Sequence, residues 1–197
     1  TKVVVEQTQY GQTLVQLGIN DHDLEVALAP GVPFSTPQVV AAFSQEGLEG
    51  LSRRMHAYGE LLMDPQVRPV LYNSWEATNF AVTAAGQTAL AERAASLGAE
   101  LFVVDDGWFG RRNPDSTGGI RDGLGDWWVD PEKFPDGFAP LIDTVRGLGM
   151  QFGIWVEPEM VNPDSDLFAA HPDWIYHEPG RQTDQARGQY VLNLTIP

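Results

Sequence analysis

The sequence predicts an α/β fold, with a short β-region first, then one helix, and then strands that alternate with helices. Three observations lead to this prediction. Short apolar runs separated by turn residues fill residues 1–45, a segment with helical periodicity occupies residues 46–67, and from residue 68 onward apolar runs of strand length alternate with helical segments. Because helices separate the later strands, those strands are expected to pair in parallel.

The β-region is predicted from apolar runs at residues 3–5, 14–19, 24–28 and 38–43. Gly11, the Asn20-Asp21 pair and a Pro-Gly-Val-Pro turn at residues 30–33 separate these runs. The connections are too short to contain crossover helices, so we expect antiparallel pairing.

The linking helix is predicted from apolar residues that recur at spacings of three and four, which is typical of one helical face. These residues are Leu48, Leu51, Met55, Tyr58 and Leu62. The Asp64-Pro65 pair predicts the end of the helix, because a residue before proline avoids helical backbone angles. We therefore expect residues 46–67 to link two domains, residues 1–45 and residues 68–197.

The second domain is predicted to contain strands at residues 69–73, 101–104, 152–156 and 190–194. Helices are predicted at residues 88–97 and 138–148, ending at Gly98 and Gly149. The loop at residues 105–135 is long and rich in Gly, Asp and Trp, whereas the turns from helix to strand are short. In (β/α) barrels, long loops at the carboxyl ends of the strands build the active site. We therefore expect the functional residues at this end of the strands.

Polar and aromatic residues cluster where the first three of these strands end. The clusters read Asn-Ser-Trp-Glu at residues 73–76, Asp-Asp-Gly-Trp at 105–108 and Trp-Val-Glu-Pro-Glu at 155–159, and a loop adds Gly-Asp-Trp-Trp at 125–128. Carboxylates accept hydrogen bonds from sugar hydroxyls, and tryptophan rings pack on the apolar face of a pyranose. The clusters predict a site for a neutral ligand rich in hydroxyl groups.

The carboxylates have other interpretations. Asp105 and Asp106 could cap a helix or hold loop backbone, and Glu157 and Glu159 could pair with arginines in buried ion pairs. Two carboxylates are also what glycoside hydrolysis needs, one as nucleophile and one as acid/base, which makes Asp106 and Glu157 candidates on residue type alone.

The tryptophans have a structural alternative as well. Trp155 follows the alternation of its strand and could fill the core. Trp127 and Trp128 are adjacent and cannot both face one ligand, so one of them is expected to be structural.

Composition excludes several classes of function. The formal net charge of −15 repels phosphate backbones, so we expect no nucleic-acid partner. No apolar run is long enough to span a membrane. The chain has no cysteine, and its four histidines lack metal-ligand spacing, so no metal or other cofactor is expected. The first residues lack the regions of a signal peptide, so the expected location is cytoplasmic.

Several motifs, in order along the chain, resemble those of family 36 α-galactosidases. They read RPVLYNSWEAT at residues 68–78, LFVVDDGWFG at 101–110, LGDW at 124–127, GMQFGIWVEPEMVNPDS at 149–165 and HPDW at 171–174, and the linking helix contributes GLSRR at 50–54. The resemblance implies a partial (β/α)8 TIM barrel at residues 68–197, preceded by the end of an N-terminal β-sandwich domain at residues 1–45.

The resemblance also implies a function, and it implies which residues of the site lie within this chain. It implies a retaining hydrolase that releases terminal α-linked galactose from oligosaccharides such as melibiose or raffinose, in a homo-oligomeric full-length protein. The nucleophile, in a Lys-Trp-Asp motif, and the acid/base are expected beyond Pro197, so no catalytic residue is expected within this chain and the chain alone is expected to be inactive. The implied substrate-binding residues are Asp105, Asp106, Trp75, Trp127 and Arg187. Galactosyl transfer of the raffinose-synthase type and a non-catalytic carbohydrate-binding protein are the alternatives.

Overall fold

The computed structural model describes residues 2–21, 24–112, 123–177, 179–180, 183, 185 and 187–196. The chain divides into two units, Thr1–Gln66 and Val67–Pro197. Among the described residues, no helix is both long and apolar enough to cross a membrane.

The first unit contains a β-hairpin and one helix within its described residues. Strands β1 (Lys2–Gln7) and β2 (Thr13–Gly18) pair antiparallel, as predicted. Gly11 lies in the turn between them with a φ of 75°, a backbone conformation that favours glycine. Helix α1 (Gly47–Leu62) confirms the predicted helix and ends just before the Asp64-Pro65 pair.

The predicted strands at residues 24–28 and 38–43 are wrong, because neither segment adopts strand structure. A strand requires a neighbouring segment that completes its hydrogen-bond ladder, and neither segment has such a neighbour among the described residues. Their apolar side chains are exposed, including those of Leu28 and Phe43. Apolar composition alone therefore did not distinguish these segments from strands.

The second unit is built on a parallel sheet, as the alternation of strands and helices predicted. Strands β3 (Leu71–Asn73), β4 (Leu101–Val104) and β5 (Gln151–Ile154) lie in the order β3-β4-β5. Both pairs are parallel, with Leu71 opposite Leu101 and Leu101 opposite Gln151. The in-register pairing brings the residues after each strand to one edge of the sheet.

Within the described residues, three helices lie between the strands of this sheet along the chain. A short helix α2 (Trp75–Thr78) follows β3 directly and was not predicted. Helix α3 (Ala84–Ser96) begins earlier than the predicted residue 88, because the hydroxyl of Thr83 accepts a hydrogen bond from the amide of Gly86 at 3.2 Å and caps the helix. Helix α4 (Ala139–Gly147) confirms the predicted helix before β5.

The core of this unit forms around the central strand β4. Phe102 and Val104 of β4 are buried with Ala91 and Ala94 of α3 and with Val145 of α4. Burying one such phenylalanine contributes about 1.5–3 kcal/mol relative to leaving it exposed. This packing fixes β4 and therefore the point at which the following loop begins.

The last predicted strand differs from the prediction. Strand β7 (Tyr190–Val191) pairs antiparallel with β6 (Met160–Val161) and does not join the parallel sheet. Helix α5 (Asp166–Ala170) and a 3-10 helix at Pro172–Trp174 lie between β6 and β7. Strands β6 and β7 both follow β5 in the chain, and they pair with each other in a separate two-stranded sheet.

Candidate functional site

The carboxyl ends of β3, β4 and β5 surround a cleft of about 750 Å³, called here the strand-end cleft. Residues that follow β3 and β4 form one part of its lining: Asn73, Trp75, Glu76, Phe80, Asp105, Asp106 and Arg112. Residues from β5 onward form the other part: Trp155, Glu157, Arg187 and Gln189. The three clusters predicted from the strand ends therefore meet in one place. Of the predicted substrate-binding residues, Trp75, Asp105, Asp106 and Arg187 lie there.

Trp75 is positioned by the end of β3. The amide of Ser74 donates to the carbonyl of Val103 at 3.1 Å, which extends the pairing between β3 and β4 by one residue. The side-chain oxygen of Asn73 accepts from the amide of Trp75 at 2.8 Å and turns the chain into α2. The Trp75 ring contacts Phe80 edge to face, with centroids 5.0 Å apart. Local backbone geometry therefore fixes this ring at the edge of the cleft.

Asp105 joins the ends of β3 and β4. Its amide donates to the Ser74 hydroxyl at 3.1 Å, and its carboxylate accepts from the Asn73 side chain. The other carboxylate oxygen accepts from the amide of Asp106 at 2.7 Å. The alternative that this acid holds loop backbone is thus correct, and Asp105 lines the cleft as well.

The turn that brings both aspartates to the cleft requires a glycine. Gly107 has a φ of 109°, which side chains rarely adopt. A Cβ at this position would lie 2.9 Å from the Cα and 3.0 Å from the carbonyl oxygen of Phe80. The loop after β4 can therefore pass close to the segment after β3 only with glycine at this position.

Asp106 forms a buried ion pair that the sequence did not predict. Its Oδ1 and Oδ2 each lie 3.0 Å from a guanidinium nitrogen of Arg112, Nε and Nη2 respectively. Only 2% of the Arg112 side chain and 8% of the Asp106 side chain are exposed. The remaining Arg112 nitrogen, Nη1, donates to Oδ1 of Asn162 at 2.7 Å. The only signal in the sequence was the Arg-Arg pair six residues after the acids, and it did not show which arginine is buried.

Glu157 pairs with Arg187 on the opposite side of the lining. Nη2 of Arg187 donates to Oε1 of Glu157 at 2.8 Å, so Glu157 does pair with an arginine. The pair is not buried as that alternative stated, because 73% of the Arg187 side chain is exposed. Glu159 is exposed and is not part of a buried pair. Burial raises the pKa of Glu157 above its ordinary value of 4.5, Arg187 opposes this shift, and Glu159 adds to it.

The positions of the tryptophans relative to the cleft differ from the prediction. Trp155 lines the cleft, whereas Trp127 is not among the described lining residues. The Trp127 ring packs on Phe109 at a centroid distance of 4.4 Å and on Trp155 at 6.3 Å. Trp127 therefore lies behind Trp155 in the aromatic core, and its contact with a ligand stays a prediction. Trp128 is partly exposed on the surface.

Asp126 has a structural role although it lies in one of the predicted clusters. It is buried, and its two carboxylate oxygens accept from the amides of Asp166 and Leu167, each at 3.0 Å. These amides belong to the first turn of α5, where backbone donors have no partner within the helix. Asp126 thus caps α5 and is not among the described residues that line the cleft.

The chemistry of the cleft suits a polyhydroxylated ligand. Its lining carries four carboxylates, two guanidinium groups, two amides and two tryptophan rings. A carboxylate has about four acceptor positions, so Asp105 and Asp106 can still accept hydrogen bonds from a ligand. Within the described residues, no group of three or more His, Asp or Glu side chains could hold a metal ion.

Comparison with known proteins identifies the family. A sequence model of the Melibiase family matches residues 33–197. The chain belongs to the melibiase family. The resemblance of its motifs to family 36 α-galactosidases is thereby confirmed. An α-galactosidase of Escherichia coli is 48% identical over 177 residues, which are 88% of this chain and 24% of that protein.

Solved structures of the family agree with the fold. The family 36 α-galactosidase AgaA of Geobacillus stearothermophilus superposes with a TM-score of 0.84 at 44% identity, over 96% of this chain and 26% of that one. Variants of AgaA have been solved with raffinose and with stachyose; each matches with a TM-score of 0.82 at 44% identity over 95% of this chain and 26% of the other. The chain thus spans about a quarter of the length of the relatives it matches.

Proposed function

We propose that this chain is the substrate-recognition part of an α-galactosidase that releases terminal α-linked galactose from oligosaccharides. One observation carries the proposal: Asp105, Asp106, Trp75 and Trp155 come from three different strand ends and meet in one cleft. Paired acceptors beside aromatic rings are what a sugar needs, and family membership supports galactose as that sugar. AgaA variants bound to raffinose and stachyose support oligosaccharides as the substrate class.

In this proposal Asp105 and Asp106 accept hydrogen bonds from the galactose hydroxyls at positions 4 and 6. Each of their carboxylate oxygens already accepts one protein donor and can accept a second one from the ligand. Charge-assisted bonds of this kind are short and about twice as strong as neutral ones. Arg187 is the candidate donor to a further hydroxyl, because its side chain is largely exposed at the cleft.

We further propose a retaining mechanism whose nucleophile and acid/base lie outside this chain. The assignment of Asp106 and Glu157 as the catalytic pair is disfavoured by their partners. Asp106 holds Arg112 with both oxygens, and Glu157 holds Arg187, so both carboxylates already serve as partners of an arginine. The 197-residue chain alone would then not hydrolyse galactosides.

The parallel sheet is proposed to be the first part of a (β/α)8 barrel. A closed barrel has eight strands and about 250 residues, and β3 and β5 are the outer strands of the present sheet. Leu71 and Ile154 on these outer strands are exposed, as expected for positions that further strands would cover. The full-length protein is proposed to be a homo-oligomer, which light scattering would test.

The proposal is tested by assaying the full-length protein and the 197-residue chain side by side on an aryl α-galactoside. Turnover by the full-length protein alone is the expected result. If the full-length protein binds galactose but does not turn over α-galactosides, the result would favour the non-catalytic carbohydrate-binding alternative. Comparable turnover by the isolated chain would contradict the proposal and return Asp106 and Glu157 to candidacy as the catalytic pair.

A further inference from the structure

The carboxylate of Asp106 is held by the buried guanidinium group of Arg112. Two parallel hydrogen bonds of 3.0 Å join its carboxylate to Arg112 in the fork-to-fork arrangement. Such a pair fixes the plane of the carboxylate as well as its position, because both oxygens are engaged at once. The acceptor positions that remain for a ligand then have fixed directions.

Arg112 is itself fixed from several sides. Nη1 donates to Asn162, whose Oδ1 also accepts from the amide of Leu124 at 3.1 Å. The guanidinium carbon lies 5.6 Å from the centroid of the Phe80 ring and 5.8 Å from that of Phe109. Asn162 and Phe80 lie far from Arg112 in the chain, so the position of the guanidinium is set by the tertiary fold.

The backbone of Arg112 is fixed together with the turn after β4. The ammonium group of Lys133 donates to the carbonyl of Gly107 at 2.6 Å and to that of Arg112 at 2.9 Å. It also donates to the carbonyl of Phe80 at 3.3 Å. One cation therefore joins two points of the loop that carries Asp106 and Arg112 and connects this loop to the segment after β3.

We infer that Arg112 is a positioning residue, which directs the carboxylate of Asp106 toward the galactose hydroxyl and acts on the ligand only through that carboxylate. The inference rests on the proposed function, since it presupposes that Asp106 binds the sugar. A lysine cannot replace Arg112 in this role, because a single ammonium group supplies charge without the planar fork. A purely structural arginine, in contrast, would affect stability and leave sugar affinity unchanged.

The test is a double-mutant cycle on the full-length protein. Galactose affinity by calorimetry, kcat and KM on an aryl α-galactoside, and the melting temperature are measured for Asp106→Asn, Arg112→Met, Arg112→Lys and the double variant Asp106→Asn/Arg112→Met. Arg111→Met is the matched control, because Arg111 is largely exposed and pairs only loosely with Asp166, at 3.4 Å. The control is expected to bind galactose as the unmodified protein does.

We expect Arg112→Met and Arg112→Lys each to weaken galactose binding by about tenfold to a hundredfold. The double variant is expected to bind no more weakly than Asp106→Asn alone, because effects that act through one group are not additive. If Arg112→Met does not fold, the Lys variant and the double variant, which leaves no unpaired buried charge, decide the question.

Two outcomes overturn the inference alone: normal galactose affinity in Arg112→Lys with a lowered melting temperature, or additive losses of affinity in the double variant. Failure of the unmodified protein to bind galactose would instead overturn the proposed function, and this inference with it. The two failures are therefore distinguishable within one set of measurements.

Discussion

Oε1 of Glu157 accepts a hydrogen bond from Nη2 of Arg187 at 2.8 Å, although the glutamate is mostly buried and the arginine mostly exposed. The pair joins the loop after β5 to the segment before β7. Burial raises the pKa of Glu157 despite the arginine, so the pair does not fully offset the desolvation of the carboxylate. This imbalance has a consequence for the pH dependence of stability.

A carboxyl group whose pKa is raised on folding stabilises the folded state when protonated. That contribution is fully present below the ordinary value of 4.5 and is lost as pH rises through the higher pKa of the folded state. Glu157→Gln keeps an acceptor for Arg187 and cannot ionise. We therefore expect the variant to match the unmodified full-length protein below pH 4.5 and to be more stable near neutral pH.

Thermal unfolding across that pH range measures the effect, with Glu92→Gln on the exposed side of α3 as the control. A Glu157→Gln variant that is less stable than the unmodified protein at neutral pH would show that the ion pair outweighs the desolvation, contrary to this account.

Gly107→Ala tests whether the turn after β4 positions the aspartates. The substitution combines an unfavourable φ, which costs about 1–3 kcal/mol, with a contact of 2.9 Å to the backbone of Phe80 that no side-chain movement relieves. We expect a lower melting temperature and at least a tenfold loss of galactose affinity (about 1.4 kcal/mol) in the full-length protein, because Asp105 and Asp106 must shift.

Gly98→Ala is the matched control for this substitution. Gly98 also has a positive φ, of 89°, but a Cβ there would meet nothing within 4 Å. It is expected to lose stability through backbone strain alone and to keep its galactose affinity. Equal affinities in the two variants would mean that the turn is not needed for binding.

Much of the fold could be predicted because its signals are local. The apolar run of β4 followed by two acids, and the helical spacing of α1, lie within single segments. The partners that hold the loops around the site are distant in sequence. Asn162 is 50 residues from Arg112, and Asp126 accepts a hydrogen bond from the amide of Asp166, which is 40 residues away. No periodicity predicts such pairs. For the same reason the prediction of a strand at residues 38–43 is wrong, since a strand depends on its partner as well as on its own composition.

Asp126→Ala is expected to reduce stability without affecting the ligand. It removes two charge-assisted hydrogen bonds that the buried Asp126 carboxylate accepts from the first turn of α5, a loss of about 2 kcal/mol or more. Because Asp126 lies outside the described lining of the cleft, the galactose affinity of the folded protein should stay unchanged. Thermal unfolding and calorimetry of the full-length protein check both statements, with the exposed Asp164→Ala as control. A selective loss of affinity at normal stability would assign Asp126 to the sugar site instead.

The most direct test of the account is the kinetics of Asp105→Asn in the full-length protein, measured together with its melting temperature. The substitution preserves size and an acceptor for the amide of Asp106. It removes the charge offered to the sugar and the carboxylate oxygen that accepts from the Asn73 side chain. We predict that kcat/KM on an aryl α-galactoside falls by about tenfold to more than a hundredfold, together with a lower melting temperature, because Asp105 both holds the loop and binds the sugar. Near-normal kcat/KM with a large drop in melting temperature would contradict the account, because Asp105 would then hold the loop without binding the substrate.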